Sequence, residues 1–209
     1  MGNYSIGAVI FDYGGVLSLA PDNKKKLKLA ETSGLEPAFF EQEYRRHRSG
    51  YDRGTLTASD YWSGILAAGG VTATGKLTEK LIRLDIEIWT VVNQAIVDWS
   101  GLLKEKGYRI AVLSNMPREP LAYINETFPW INNFDTCIYS CDYGLIKPEP
   151  QIYHTCLEAL GVLAEEVLFI DDCSENTEAA ERLGLHTLTF QSLEKAKETI
   201  EKQYGLPVS

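Results

Sequence analysis

Short apolar runs and helix-like patterns alternate along most of this chain. The first run, residues 6–11 (IGAVIF), is too short for a buried helix and stops at the carboxylate of Asp12. That arrangement is typical of a buried parallel strand. From about residue 93 onward, helical patterns alternate with further short runs, such as residues 108–113 and 167–170. The alternation predicts an α/β fold with a mostly parallel sheet and helices on both of its faces.

Residues 17–90 lack this alternation and predict helices only. The clearest helical patterns cover residues 21–33, 37–48 and 57–68. Residues 76–89 fit both a strand alternation and a helix face, and their length and neighbours favour a helix. We therefore expect a core formed by residues 1–16 and 91–209, with a helical cap, residues 17–90, inserted after the first strand.

Composition and charge exclude several classes of function. The chain has 209 residues, a net charge of −9 and a pI of about 4.9, which argues against nucleic acid and anionic membranes as partners. No apolar run approaches a membrane-spanning length. The four cysteines lack a disulfide or metal-binding spacing. Reduced thiols and a cytoplasmic location are therefore expected.

Polar side chains follow the predicted strands where each strand ends. Open α/β sheets bind ligands outside the carboxyl ends of their strands, so we expect these side chains to form one site. They are Asp12, Ser114, Asn115, Lys147, Asp171 and Asp172.

The residue types at this edge suit phosphoryl transfer. Asp12 and Asp172 offer the oxygen ligands that Mg²⁺ prefers. Ser114 can donate to phosphoryl oxygens, and Lys147 can neutralise their charge. Asp12 can also act as a nucleophile toward phosphorus.

Each of these residues also has a simpler interpretation. Asp12 could cap the next element, Ser114 and Asn115 could form a turn, and Lys147 could be a solvated loop lysine. The adjacent pair Asp171 and Asp172 is harder to explain in that way, because two neighbouring carboxylates after a buried strand repel unless a cation lies between them.

Taken together and in order, these segments resemble the four motifs of the haloacid dehalogenase-like hydrolase superfamily. The resemblance covers essentially the whole chain. It implies a Rossmann-like core with a helical cap and a Mg²⁺-dependent phosphatase activity on a small phosphorylated metabolite. The motifs are residues 11–17 (FDYGGVL), 113–115 (LSN), 147–150 (KPEP) and 169–176 (FIDDCSEN).

The resemblance also implies a role for each matched residue. Asp12 would be the nucleophile, and the segment Ser114–Asn115 together with Lys147 would bind phosphate. The implied metal ligands are Asp12, the Gly14 carbonyl and Asp172, with Asp171 nearby.

Gly14 departs from the usual phosphatase pattern. These enzymes usually carry a second aspartate two residues after the nucleophile, as general acid and base, and Gly14 cannot transfer a proton. A subgroup of bacterial phosphatases that act on sugar 1-phosphates shares the Asp-x-Gly pattern, and an anomeric leaving group needs protonation less than an ordinary alcohol. Two alternatives stay open, namely a catalytically silent metabolite-binding protein and a metal-free 2-haloacid dehalogenase.

Basic residues in the predicted cap are candidates for substrate recognition. Tyr44, Arg48 and Tyr51 fall on one helical face, and His47 and Arg53 lie in the same stretch. We expect Arg48, Arg53 and His47 to contact the non-reacting end of the substrate, although a solvated helix surface explains each of them equally well. His47 could also supply the missing proton transfer.

Overall fold

The computed structural model describes residues 5–208, so residues 1–4 and 209 of the predicted core lie outside the described residues. The chain forms a parallel sheet of five strands in the order β3-β2-β1-β4-β5. This confirms the predicted fold class. The strands are β1 Ala8–Phe11, β2 Arg109–Ser114, β3 Thr136–Tyr139, β4 Val167–Asp171 and β5 His186–Thr189.

Ten α-helices are present in the described part of the chain. The first four follow β1, and the others alternate with the remaining strands. They are α1 Asn23–Ser33, α2 Pro37–Asp52, α3 Ala58–Ala68, α4 Gly75–Trp89, α5 Gln94–Glu105, α6 Arg118–Thr127, α7 Ser140–Tyr143, α8 Pro150–Leu160, α9 Ser174–Arg182 and α10 Leu193–Tyr204.

The central strand β1 is apolar at every position because both faces of the sheet are covered. Val9 and Phe11 pack into the hydrophobic cluster on one face, and Ala8 and Ile10 pack into the cluster on the other. All four residues are buried. The alternation of strand side chains thus accounts for a continuous apolar run that ends at Asp12.

Helices α1 to α4 pack around a hydrophobic cluster of their own. The segments that enter and leave this helical insert pair with each other, through a bridge between Ser18 and Val92. The division into a core and a cap at residues 17–90 stays a prediction, and we keep the name cap for the four helices.

Residues 76–89, whose sequence fits both a strand and a helix, lie in helix α4. Leu81, Leu84 and Ile88 are buried against the cap, as the helical pattern requires. The helix ends at Trp89, close to the first turn of the core. The chain therefore brings the last cap residue directly over the segment that follows β1.

Candidate active site

A cavity of about 320 Å³ lies between the cap and the carboxyl edge of the sheet. The sheet order places β1 between β2 and β4, so the loops after these three strands meet at one edge. The core contributes Asp12, Gly14, Ser114, Asn115, Lys147 and Asp172 to the cavity lining. The predicted site residues of the core are therefore close together, with Asp171 directly behind them.

Asp12 is buried at the end of β1, and its two carboxylate oxygens differ. The oxygen Oδ1 accepts a hydrogen bond from the backbone N–H of Tyr13 at 2.7 Å, and Lys147 Nζ lies 2.8 Å from it. No described residue donates to Oδ2. Burial raises the pKa of Asp12 to about 7, against the opposing charge of Lys147. Asp12 thus keeps one oxygen available in the cavity.

Lys147 is a buried cation and not a solvated loop residue. Its ammonium donates to Asp171 Oδ2 at 2.6 Å and to the Leu113 carbonyl at 2.9 Å. Burial works to lower the pKa of Lys147, but the charges of Asp12 and Asp171 outweigh it and hold that pKa above its usual range. The lysine is therefore a fixed positive charge beside Asp12.

Asn115 holds the Lys147 backbone in place. Its side-chain Nδ2 donates to the Lys147 carbonyl at 2.9 Å, and its Oδ1 accepts from the Lys147 N–H at 2.8 Å. The side chain of Asn115 is thus engaged with Lys147, and its backbone remains for the phosphate contact that the sequence predicts. The neighbouring Ser114 lines the cavity, and its hydroxyl makes no hydrogen bond to another described residue.

Three carboxylates form a cluster suited to a divalent cation. Asp12, Asp171 and Asp172 each offer an oxygen, and these oxygens lie within 4.8 Å of one another. Both oxygens of Asp171 already accept hydrogen bonds, from Lys147, Asn176 and the Cys173 N–H. Asp12 and Asp172 therefore supply the free oxygens, and such hard donors fit Mg²⁺.

The position of the Asp172 carboxylate requires a glycine at position 15. Gly15 has a φ of 74°, and a Cβ there would lie 2.3 Å from Asp172 Oδ2. Burial, followed by the charge of Asp171, raises the pKa of Asp172. A side chain at position 15 would displace the carboxylate and also strain the backbone. This close approach explains the second glycine of the YGG turn.

Arg48 lies in the cavity roof, but its charge is largely neutralised. Its Nε donates to Asp52 Oδ1 at 2.7 Å, and its Nη1 donates to the Tyr44 hydroxyl at 2.8 Å and to Asp85 Oδ2 at 3.4 Å. The guanidinium carbon also lies 5.5 Å from the ring centre of Trp89. Sequence reasoning identified the arginine but missed its two carboxylate partners, which no local pattern indicates.

Arg53 and His47 lie outside the cavity lining. Arg53 forms a two-point ion pair with Glu149, at 2.6 and 2.9 Å, and donates to the Gly144 carbonyl. His47 packs beside Gly64 of α3, and its Nε2 lies 3.4 Å from Glu43. The structure therefore does not support the substrate contacts expected of these two residues, nor a proton relay through His47.

Trp89 and Asp52 are among the cavity residues that the sequence did not predict. Trp89 covers Gly14, since a Cβ on that glycine would lie 3.3 Å from the indole Cζ3. Asp52, at the end of α2, is 8% exposed and lines the same cavity. Both belong to the cap in sequence, and only the folding of the cap onto the core brings them here.

Comparison with known proteins identifies the family. Residues 6–184 match the haloacid dehalogenase-like hydrolases. The chain belongs to this family, which confirms the resemblance seen in its four motifs.

Among individual relatives, acyl-CoA dehydrogenase family member 10 of Mus musculus is 27% identical over 99% of this chain, and 20% of that protein is covered. Bifunctional epoxide hydrolase 2 of the same species is 32% identical over 54% of the chain, covering 21% of that protein. The chain thus spans about a fifth of the length of these relatives. The GMP/IMP nucleotidase YrfG of Escherichia coli is 29% identical over 86% of this chain and 80% of its own.

A solved structure shares the fold. The enzyme bt-2542 of Bacteroides thetaiotaomicron, described as a member of the same family, superposes with a TM-score of 0.77 in its magnesium complex. It is 22% identical and covers 95% of this chain and 100% of that one. The same enzyme has been solved with magnesium and inorganic phosphate. Within residues 5–208, no helix combines the length and apolar character needed to span a membrane.

Proposed function

We propose that this chain is a Mg²⁺-dependent phosphatase that acts on a small phosphorylated metabolite through an aspartyl-phosphate on Asp12. The observation that carries the proposal is the meeting of Asp12, Lys147 and Asp172 at one end of a cavity, with the Ser114 hydroxyl beside them. The name of the E. coli nucleotidase and the magnesium and phosphate complex of bt-2542 support the same chemistry.

Each residue at the carboxyl edge of the sheet would have its own role in phosphoryl transfer. Lys147 Nζ and the Tyr13 N–H hold the Asp12 carboxylate in place through Oδ1. One of its oxygens would attack phosphorus, and the other would be the metal ligand. Ser114, the Asn115 backbone and Lys147 would bind the phosphoryl oxygens and stabilise their charge. Asp171 accepts from Lys147 and keeps its ammonium in position. The phosphate site is thus assembled from three neighbouring strand ends.

The metal would be held by Asp12, Asp172 and the Gly14 carbonyl. Mg²⁺ at this position would offset the repulsion between the carboxylates and the charge on the phosphoryl group. Without a cation, two unpaired carboxylate oxygens face an anionic substrate. That arrangement is unfavourable for a phosphatase and also for a metal-free dehalogenase with a carboxylate substrate.

A sugar 1-phosphate is the substrate class that we propose first. Gly14 provides no acid to protonate a leaving alkoxide, and an anomeric oxygen needs that help less than an ordinary alcohol. The roof supplies aromatic rings from Tyr44 and Trp89 beside polar groups, which suits a sugar ring. Arg48 is already paired with two carboxylates, so the free positive charge of the roof is that of Lys26, which lines the cavity and pairs with none of the described carboxylates.

A panel of phosphate esters tests this proposal. Phosphate release from glucose 1-phosphate, p-nitrophenyl phosphate and nucleoside monophosphates should require Mg²⁺ and stop with EDTA. Asp12→Asn should abolish it. Halide release from 2-chloropropionate without metal would support a dehalogenase instead. Metabolite binding without turnover of any ester would identify a silent binding protein.

A further inference from the structure

Asp52 projects from the cap into the cavity with one free carboxylate oxygen. Its Oδ1 accepts from Arg48 Nε at 2.7 Å. None of the described residues donates to its Oδ2. The residue is 8% exposed and contributes to the lining of the cavity that contains Asp12. A buried carboxylate with one unpartnered oxygen facing a ligand cavity is available to exchange a proton with that ligand.

The core fixes the position of Asp52. Ser140 Oγ donates to the Asp52 carbonyl at 2.5 Å and accepts from the Met116 N–H at 2.8 Å. Met116 directly follows Ser114 and Asn115 in the chain, so Asp52 lies over the loop that carries the proposed phosphate ligands. The charge of Lys147 acts on the Asp52 carboxyl as well. Asp52 is thus close to the reacting end of the cavity.

In-line attack by Asp12 on phosphorus would place the leaving group on the side of the cap. When Asp12 attacks phosphorus from the sheet side, the leaving oxygen lies roughly in line on the opposite side. The cap residues that line the cavity there include Tyr44, Arg48, Asp52 and Trp89. A general acid must therefore come from the roof, since Gly14 offers none.

Among these roof residues, Asp52 is the suitable proton donor. The Tyr44 hydroxyl donates to Asp85 and accepts from Arg48 and Trp89, so it is fully used. Arg48 stays protonated at any physiological pH, and the indole N–H of Trp89 is committed to Tyr44. Glu41, the other cap carboxylate in this lining, has a side chain that is 37% exposed and is paired with Arg45. Asp52 remains as the buried carboxyl group, which can both give and accept a proton.

We propose that Asp52 is the general acid and base of this enzyme, in place of the aspartate missing at Gly14. The role rests on the proposed phosphatase function. As the Asp12–phosphorus bond forms and the ester P–O bond breaks, the Asp52 carboxyl gives its proton to the leaving oxygen. Its carboxylate then takes a proton from the water that attacks the aspartyl-phosphate, and Asp12 leaves as a carboxylate.

The surroundings of Asp52 favour this double role. Burial raises the pKa of Asp52, and the charge and hydrogen bond of Arg48 oppose that rise. Asp85 on α4 adds a negative charge that raises this pKa, and Lys147 adds a positive charge that lowers it. Cys141 is also close enough for the charge of Asp52 to affect its thiol. An elevated carboxyl pKa is the property that a general acid needs near neutral pH.

The dependence of kcat/KM on the leaving group tests whether Asp52 acts as the general acid. Asp52→Asn keeps the shape and should lower kcat/KM for phenyl phosphate by about a hundredfold or more. For p-nitrophenyl phosphate, whose leaving group needs no proton, the loss in kcat/KM should be less than about tenfold. Turnover of this ester should still slow, because the second step lacks its base. Glu41→Gln, which changes a cavity carboxylate paired with Arg45, should leave the ratio between the two esters unchanged.

Other outcomes would overturn the role. An equal loss for both esters would mean that Asp52 only supports the cap, and no loss would mean that it takes no part. Asp85→Asn distinguishes a structural role of Asp52 from a catalytic one, because it disturbs Arg48 without removing the Asp52 carboxyl. Circular dichroism checks that both variants fold. If the wild type releases no phosphate from any ester, the proposed function fails and the role fails with it. An active wild type, an inactive Asp12→Asn and an unaffected Asp52→Asn contradict the role alone.

Discussion

The indole ring of Trp89 lies over Gly14, where a Cβ atom would come within 3.3 Å of Cζ3 and 3.4 Å of Cε3. The ring is held there by its N–H, which donates to Tyr44 at 3.0 Å, and by the guanidinium of Arg48 on its face. The place of the usual second aspartate is thus covered by the cap. The glycine two residues after Asp12 and the tryptophan at the end of α4 are therefore parts of one packed arrangement.

The two glycines of the first turn should respond differently to alanine. Gly14→Ala meets only the edge of a ring at an ordinary negative φ, and we expect a loss of about 1 kcal/mol or less in the free energy of unfolding. Gly15→Ala combines a positive φ with a clash against Asp172, and we expect a loss of about 1–3 kcal/mol from the backbone alone. Calorimetric Mg²⁺ binding should be retained in the first variant and lost in the second. Equal metal affinity in both would contradict the assignment of Asp172.

Lys147→Met should destabilise the fold strongly. The substitution leaves the buried carboxylates of Asp12 and Asp171 without their cation, and breaking a buried ion pair in this way typically costs about 3–5 kcal/mol. Urea unfolding measures the change. Lys202→Met, at an exposed lysine paired with Glu198, is the control and should unfold at the wild-type urea concentration. A stable Lys147→Met protein would mean that these charges are not coupled in solution.

Arg48→Met should also reduce stability, by about 3 kcal/mol, because Asp52 and Asp85 would remain buried and unpaired. Arg45→Met removes a neighbouring arginine whose ion pair with Glu41 is largely exposed, and it should change the unfolding free energy by less than about 1 kcal/mol. Similar small losses in both variants would show that Arg48 is free to bind substrate, as the sequence first indicated.

Arg53 and Glu149 should act as a unit. Arg53 of the cap pairs with Glu149 of the core, so Arg53→Ala and Glu149→Ala should shift KM in the same direction. Arg53 also donates to the Gly144 carbonyl, and Glu149 also accepts from the Ile146 N–H. The double variant should therefore change KM by less than the product of the two single shifts, without the single shifts being equal. The coupling in the free energy of unfolding should be about 0.2–1 kcal/mol, as for partly exposed pairs. A KM effect confined to Arg53→Ala would instead place Arg53 on the substrate.

The sequence alone predicted the sheet, the order of the elements and the core residues that meet at the candidate site. Asp12, Ser114 and Asp172 lie at or directly after the ends of β1, β2 and β4, and Lys147 lies in the segment between β3 and α8. The carboxyl ends of neighbouring parallel strands necessarily meet. Apolar periodicity also identified helix α4, although it could not exclude a strand.

The roof of the cavity could not be predicted in this way. Asp52, Asp85 and Trp89 lie far from Asp12 in sequence, and their meeting depends on how the cap packs on the core. Arg48 was noticed as a charge, but its neutralisation by two carboxylates from different turns of the cap is a tertiary effect. For the same reason Arg53 and His47, although close to Arg48 in sequence, point to other partners.

We expect Asp12 to become phosphorylated during turnover. The decisive measurement is acid-quenched reaction of the Mg²⁺-loaded protein with a reactive phosphate ester, followed by peptide mass spectrometry. It should find one added phosphoryl group on the peptide that contains Asp12, and none in Asp12→Asn. Phosphate release by Asp12→Asn at the wild-type rate, or a phosphoryl group on another residue, would contradict it.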